Sequence, residues 1–136
     1  MLIYTCTMFT QYKLFIYSED PDSLVKFYTN VLGWNIVKKL EYELDYGYTL
    51  EISSGGMQVW LAEHSKVKGK NEDPFRHIIN LYTDSISLYL EKARAYAGVE
   101  IIAEPFSMGT IIPGETRLAC TFLDPEKNCI QLMGKL

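Results

Sequence analysis

EDPDSLVKFYTNVLGW, residues 19–34, carries the punctuation of one complete helix. Asp20 is a good N-cap, because a short carboxylate accepts a hydrogen bond from a backbone N–H of the first turn. Pro21 suits the first helical position, where its missing N–H leaves nothing unsatisfied. Leu24, Phe27, Tyr28, Val31 and Leu32 recur at helical spacing and mark a buried stripe, and Gly33 is a natural left-handed stop. YKLFIYS (12–18) before the helix has strand composition. Three strand-like runs follow it, NIVKKLEYE (35–43), YTLEIS (48–53) and MQVWLAE (57–63), separated by turn signals.

The same order returns further along. HIINLYT (77–83) reads as a strand, Asp84 or Ser85 as a cap, and Ile86, Tyr89, Leu90, Ala93 and Ala97 as a helical stripe that ends at Gly98. Asp20 and Ser85 lie 65 residues apart, and so do Gly33 and Gly98. VEIIAE (99–104), TRLACTF (116–122) and CIQLM (129–133) are the strand-like runs after the second helix. HSKVKGKNEDPF (64–75), polar and broken by Gly69 and Pro74, fits a linker. The chain is therefore predicted to be α+β, a single domain over 1–136 made of two tandem βαβββ modules, about 12–63 and 76–134. Each half-sheet is covered on one face by its helix, and the uncovered faces curl into a concave cup.

Composition narrows the function. A chain of 136 residues, 48% hydrophobic and 22% charged, has the balance of a globular protein with a sizeable core. A net charge of −4 gives no basic footprint for nucleic acid. The three cysteines, Cys6, Cys120 and Cys129, show no CxxC spacing, which argues against a disulfide framework or a zinc finger. No signal-peptide pattern opens the chain and no apolar window approaches the ~20 residues of a membrane span, so a cytoplasmic protein is expected. Residues 1–11 are rich in β-formers (Ile3, Tyr4, Thr5, Thr7, Phe9, Thr10) and are read as an edge strand for a neighbouring chain, with a homodimer expected.

SLVKFYTNVLGW (23–34) resembles the helix-and-turn signature of the vicinal oxygen chelate superfamily, and FLDPEKNCIQLM (122–133) resembles its closing signature. That superfamily includes glyoxalase I, the bleomycin-resistance proteins, fosfomycin-modifying enzymes and extradiol dioxygenases. The resemblance runs over residues 12–133, with Lys127 standing where the closing turn usually has glycine. Such relatives share a scaffold and differ in chemistry.

The resemblance implies up to four metal ligands at cup-facing positions in the first and last strand of each module. Three of those positions hold Lys13, Trp60 and Gln131. For the fourth, side chains alternate faces along a strand, and Ile79 and Leu81 suit the helix-covered face. Ile78, Asn80 and Tyr82 then face the cup, and Ile78 lies 65 residues after Lys13. His77 falls off the ligand position unless a bulge turns it inward. Lys13, Trp60, Ile78 and Gln131 offer a divalent ion a single amide oxygen, whereas such ions want carboxylate, imidazole or thiolate. A charged lysine would also oppose a dication, since even two unit charges 4 Å apart repel by ~4 kcal/mol at an effective dielectric of 20. The metal site is expected to be dismantled and no cofactor is expected.

The cup is expected to be lined by Phe15, Tyr17, Trp60, Ile78, Tyr82 and Met133, with Gln58, Asn80 and Gln131 as polar points and Lys13 as a charge. Glu43 and Glu51 stand near its rim or are solvated strand residues. Cys129 shares the parity of Gln131. With only His64 and His77 available, no Ser–His–Asp or Cys–His arrangement can be assembled. The expectation is a metal-independent binding protein, nearest in character to the bleomycin-resistance branch, that holds an aromatic or amphipathic small molecule. One alternative is a metal-dependent lyase, isomerase or dioxygenase with one divalent ion on His77, Gln131 and Glu63 or a partner chain's group. The other is a structural or regulatory domain whose cup is filled by its own side chains.

Overall fold

Asp20 caps the first helix as its position implies, its carboxylate accepting from the Ser23 N–H at 3.2 Å. Helix α1 (Pro21–Asn30) begins at the proline. The structure is a computed structural model that describes residues 8–136. Strand β1 (Lys13–Tyr17) precedes α1, and β2 (Asn35–Tyr42), β3 (Asp45–Glu51) and β4 (Gln58–Ala62) follow it. The second module repeats the order with β5 (Ile78–Thr83), α2 (Ile86–Ala95), β6 (Glu100–Ser107), β7 (Leu118–Leu123) and β8 (Cys129–Gly134). A 3-10 turn over Met108–Thr110, not foreseen in the sequence, sits between β6 and β7. Residues 8–12 form no strand, and residues 1–7 of the expected edge strand lie outside the described residues.

The two four-stranded sheets have orders β1-β4-β3-β2 and β5-β8-β7-β6. In each, the first strand pairs parallel with the last, and the other pairs are antiparallel. The fold class is the α+β tandem βαβββ arrangement that the repeat predicted.

Alternation along the strands sorts the apolar residues into two layers. Ile16, Leu50, Val59, Leu61, Cys120, Phe122, Ile130 and Leu132 join the stripes of α1 and α2 in the main core. That core crosses between modules, because the Phe27 ring meets Tyr96 at 5.6 Å and Phe122 at 6.3 Å, both edge-on. Six further buried side chains, Trp60, Ala62, Ala119, Leu123, Cys129 and Met133, stand outside it. All six have the opposite strand parity and lie on the faces turned away from the helices.

A buried polar clasp joins the modules. The Tyr28 hydroxyl donates to Asp124 Oδ2 at 2.6 Å. Asp124 also accepts from the backbone N–H groups of Glu126 and Asn128 and from Asn128 Nδ2, at 2.8, 2.9 and 2.9 Å. Burial pushes the Asp124 carboxyl up, and these donated bonds oppose the rise. Nearby, the Ser18 hydroxyl, at the end of β1, donates to Glu126 Oε2 at 2.5 Å. Lys127, in the turn where glycine is usual, takes the left-handed conformation with φ 65°. For a non-glycine residue that costs about 1–2 kcal/mol.

Candidate functional site

Strand register places the cup residues in rows. In a paired ladder, partners share a face. Lys13, Gln58 and Glu51 form one row of the first sheet, and Phe15, Trp60 and Thr49 form the next. In the second sheet the rows are Ile78, Cys129 and Leu123, then Asn80, Gln131 and Thr121, then Tyr82, Met133 and Ala119. Each sheet thus presents aromatic or apolar rows interleaved with amide rows. Glu51, which the sequence left between rim and solvent, stands beside Gln58 and is half-buried.

The rows end at the seam between β1 and β5. A cavity of about 380 Å³ there is bordered by Phe15, Tyr17, Ile78 and Asn80 among others, with Met57, His77 and Cys129. Phe15 is 54%, Ile78 46% and Tyr82 63% exposed, whereas Trp60 and Met133 are covered. Lys13 is exposed at the start of β1, and Gln58 and Gln131 are half-buried. A second cavity of about 380 Å³ takes Asn80 and Tyr82 together with Trp34 and Tyr89. Burial raises the Cys129 thiol, so it stays protonated and unreactive at neutral pH.

Tyr82 is built into a small network. Asn80 Nδ2 donates to the Tyr82 hydroxyl at 3.3 Å and to Met133 Sδ at 3.6 Å. The Arg117 guanidinium lies over the Tyr82 ring, 5.2 Å from its centroid. Two bonds of 2.8 Å hold Arg117 to Glu115 and drive the Glu115 carboxyl down to about 2. Arg117 was missed in the sequence, although its parity with Ala119 and Thr121 was available as a signal.

His64 stands at the other end of β1. Its ring meets Tyr17 edge-on at 4.7 Å, and its Nδ1 accepts from the Lys66 N–H at 3.1 Å, which puts the proton of the neutral imidazole on Nε2. His77 precedes β5 and is exposed, so Ile78 and not His77 takes the first strand position.

The donor set can be compared with what a divalent ion needs. Lys13, Trp60, Ile78 and Gln131 occupy the positions the resemblance implies, and together they offer one carboxamide oxygen. That set does not fit a divalent ion. His77 and Glu63, the alternative donors, border different cavities. Among the described residues no group of three or more His, Cys, Asp or Glu side chains is placed to hold a metal ion. Among them, too, no helix is long and apolar enough to cross a membrane.

Comparison with known proteins agrees with this architecture. The family model of the glyoxalase/bleomycin resistance protein/dioxygenase superfamily matches residues 10–132. A mutant of glyoxalase I from Zea mays is similar, with 20% identity and a TM-score of 0.69 over 88% of this chain. The match spans 43% of the maize chain, so the chain covers less than half of that relative. A family enzyme from Burkholderia phytofirmans PsJN has 18% identity and a TM-score of 0.67, covering 91% of this chain and 97% of that one. A domain of the same description from Frankia sp. EAN1pec has 14% identity and a TM-score of 0.67, covering 96% and 94%. No curated protein matches the chain. At such identities the likeness is one of fold, and the family model is what assigns membership: the chain belongs to the glyoxalase/bleomycin resistance protein/dioxygenase superfamily.

Proposed function

We propose that this chain is a metal-independent binding protein that holds a flat aromatic or amphipathic small molecule on the cup face, acting in the cytoplasm as a homodimer. The observation that supports it is the apolar surface left open at the seam. Phe15 and Ile78 remain 54% and 46% exposed around a cavity of about 380 Å³, and Tyr82 is 63% exposed beside a second of about 380 Å³. A cup filled by its own side chains would cover those three residues. Covering apolar surface is favourable by ~25 cal/mol per Å², and each ring contact adds ~0.5–1.5 kcal/mol. The amide rows supply hydrogen bonds for orientation, as small-molecule sites require. The ill-matched donor set supports metal independence.

Thermal unfolding tests this reading. EDTA, Zn²⁺, Ni²⁺, Mn²⁺ and anaerobic Fe²⁺ are each expected to leave Tm unchanged. An aromatic compound at 100 times its Kd is expected to raise stability by ~2.7 kcal/mol, which is several degrees. Trp34→Phe provides a second readout, because Trp34 lies in the core against Tyr28 and its removal leaves Trp60 on the cup face as the sole indole. Bound compounds should change its emission. A metal-induced shift abolished by His77→Ala would establish the metal enzyme instead.

A further inference from the structure

Among the described residues, strands β1 and β5 each have one hydrogen-bonded neighbour, because each ends its sheet. In a parallel pair the N–H and C=O of one residue point to the same side and those of the next residue point away. Two bonds fix which residues face where. The Ser18 N–H donates to the Ala62 carbonyl at 2.8 Å, and the Thr83 carbonyl accepts from the Lys135 N–H at 3.2 Å. Leu14 and Ile16 therefore turn their main-chain groups to β4, and Ile79 and Leu81 turn theirs to β8. Phe15 and Tyr17, and opposite them Ile78, Asn80 and Tyr82, turn theirs away from both sheets. The seam cavity borders every residue of 14–17 and 77–81, both parities of each strand. It therefore abuts two strand edges rather than one sheet face, and an edge with unpaired groups is a template for a further strand.

We propose that the seam binds a short extended peptide whose main chain pairs with the β5 edge and whose amino group points to the Tyr17 end. This rests on the small-molecule reading above and names the ligand class. Asn71, Asn80 and Asn128 border the seam cavity together with His77, and among the described residues no Asp, Glu, Lys or Arg does, which suits neutral amide groups. Tyr17 also borders cavities of about 480 and 340 Å³, where six carboxylates, Glu19, Glu43, Asp45, Glu63, Glu72 and Glu126, outnumber three lysines, Lys66, Lys68 and Lys70. An ammonium group is drawn to that end and a carboxylate is repelled. From Ile78 to Tyr82 the edge spans about 13 Å at ~3.3 Å per residue, the length of a tetrapeptide.

The test is a library of tetrapeptide amides with free amino termini and apolar residues at alternating positions, titrated into the full chain and followed by ¹H–¹⁵N NMR. The tightest member should shift the amides of Ile78, Asn80 and Tyr82. N-methylation of its central peptide nitrogens should weaken binding about tenfold, and acetylation of its amino group several-fold. Asn80→Pro removes a seam-facing N–H while sparing the β5–β8 ladder, and should also weaken binding about tenfold. Asn80→Ala, which loses the side-chain amide but keeps the N–H, should weaken binding less than Asn80→Pro does. Equal binding of the N-methylated peptide, or no binding by any member at millimolar concentration, would overturn the proposal. So would binding that appears only when residues 1–7 are removed, since the chain's own terminus would then hold the seam. If aromatic compounds bind where every peptide fails, the peptide proposal falls and the small-molecule reading stands. If neither binds, both fall.

Discussion

Asp124→Ala is expected to lower the unfolding free energy by about 3–5 kcal/mol, enough to reduce Tm by about 10 °C or more. Asp124 is fully buried and accepts four hydrogen bonds, from Tyr28, Glu126 and Asn128. Alanine would leave the Tyr28 hydroxyl, itself completely buried, without a partner, along with the N–H groups that close the β7–β8 turn. Because Tyr28 lies on α1 and Asp124 in the second module, the loss also loosens the two halves from each other. Tyr28→Phe removes only one donor and should cost about 1–2 kcal/mol. Equal, small losses for both variants on urea denaturation would refute the clasp.

The same carboxyl has a pH signature. Burial holds its folded pKa above the ordinary value, so the folded protein binds that proton more tightly than the unfolded chain does. The resulting stabilisation is complete below the unfolded pKa of about 3.9 and is lost as pH rises through the folded value. Asp124→Asn cannot titrate. Wild type should therefore gain stability relative to Asp124→Asn as pH falls from neutral toward about 4. Urea midpoints at several pH values check the sign, and an unchanged difference would mean that the carboxylate is ionised throughout.

The parts of this fold that were legible in the sequence are those that local physics decides. Asp20, Pro21 and Gly33 act within one turn of chain, and the 65-residue spacing repeats that grammar. Strand alternation was equally local, and it placed Ile78, Asn80 and Tyr82 on one face and Ile79 and Leu81 on the other. The rest depends on partners distant along the chain. The sequence left Asp84 or Ser85 as the cap of α2. The cap position is Ser85, yet its side chain makes no capping bond, and the Lys135 carbonyl accepts the Ile86 N–H at 2.7 Å in its place. The register shift at Val37 in β2 and those in β6 are likewise settled by the neighbouring strand. At the site, strand membership and face were readable, but the meeting of β1 with β5 and the stacking of Arg117 on Tyr82 join residues that no local pattern connects.

Gly134→Ala is expected to cost about 4 kcal/mol or more, or to prevent folding. Gly134 ends β8 with φ 145°, and a Cβ built there lies 1.7 Å from the Thr83 carbonyl oxygen, so backbone must move. That oxygen accepts from the Lys135 N–H, and the Lys135 carbonyl in turn accepts from the Ile86 N–H. One methyl group would therefore separate the ends of β5 and β8 and strip α2 of its cap, itself worth about 1 kcal/mol. Gly55→Ala is the control. Gly55 also has positive φ, 72°, but nothing lies within 4 Å of its added Cβ. It should cost only the left-handed penalty of about 1–2 kcal/mol. The difference between the two variants in urea isolates the collision from the dihedral. If Gly134→Ala still folds, its altered β5 end carries Tyr82 with it, so the Tyr82 amide should shift in NMR spectra while the Gly55 variant leaves it in place. Equal costs for the two substitutions would mean that the β5 edge yields freely, and a yielding edge would not hold a ligand in register.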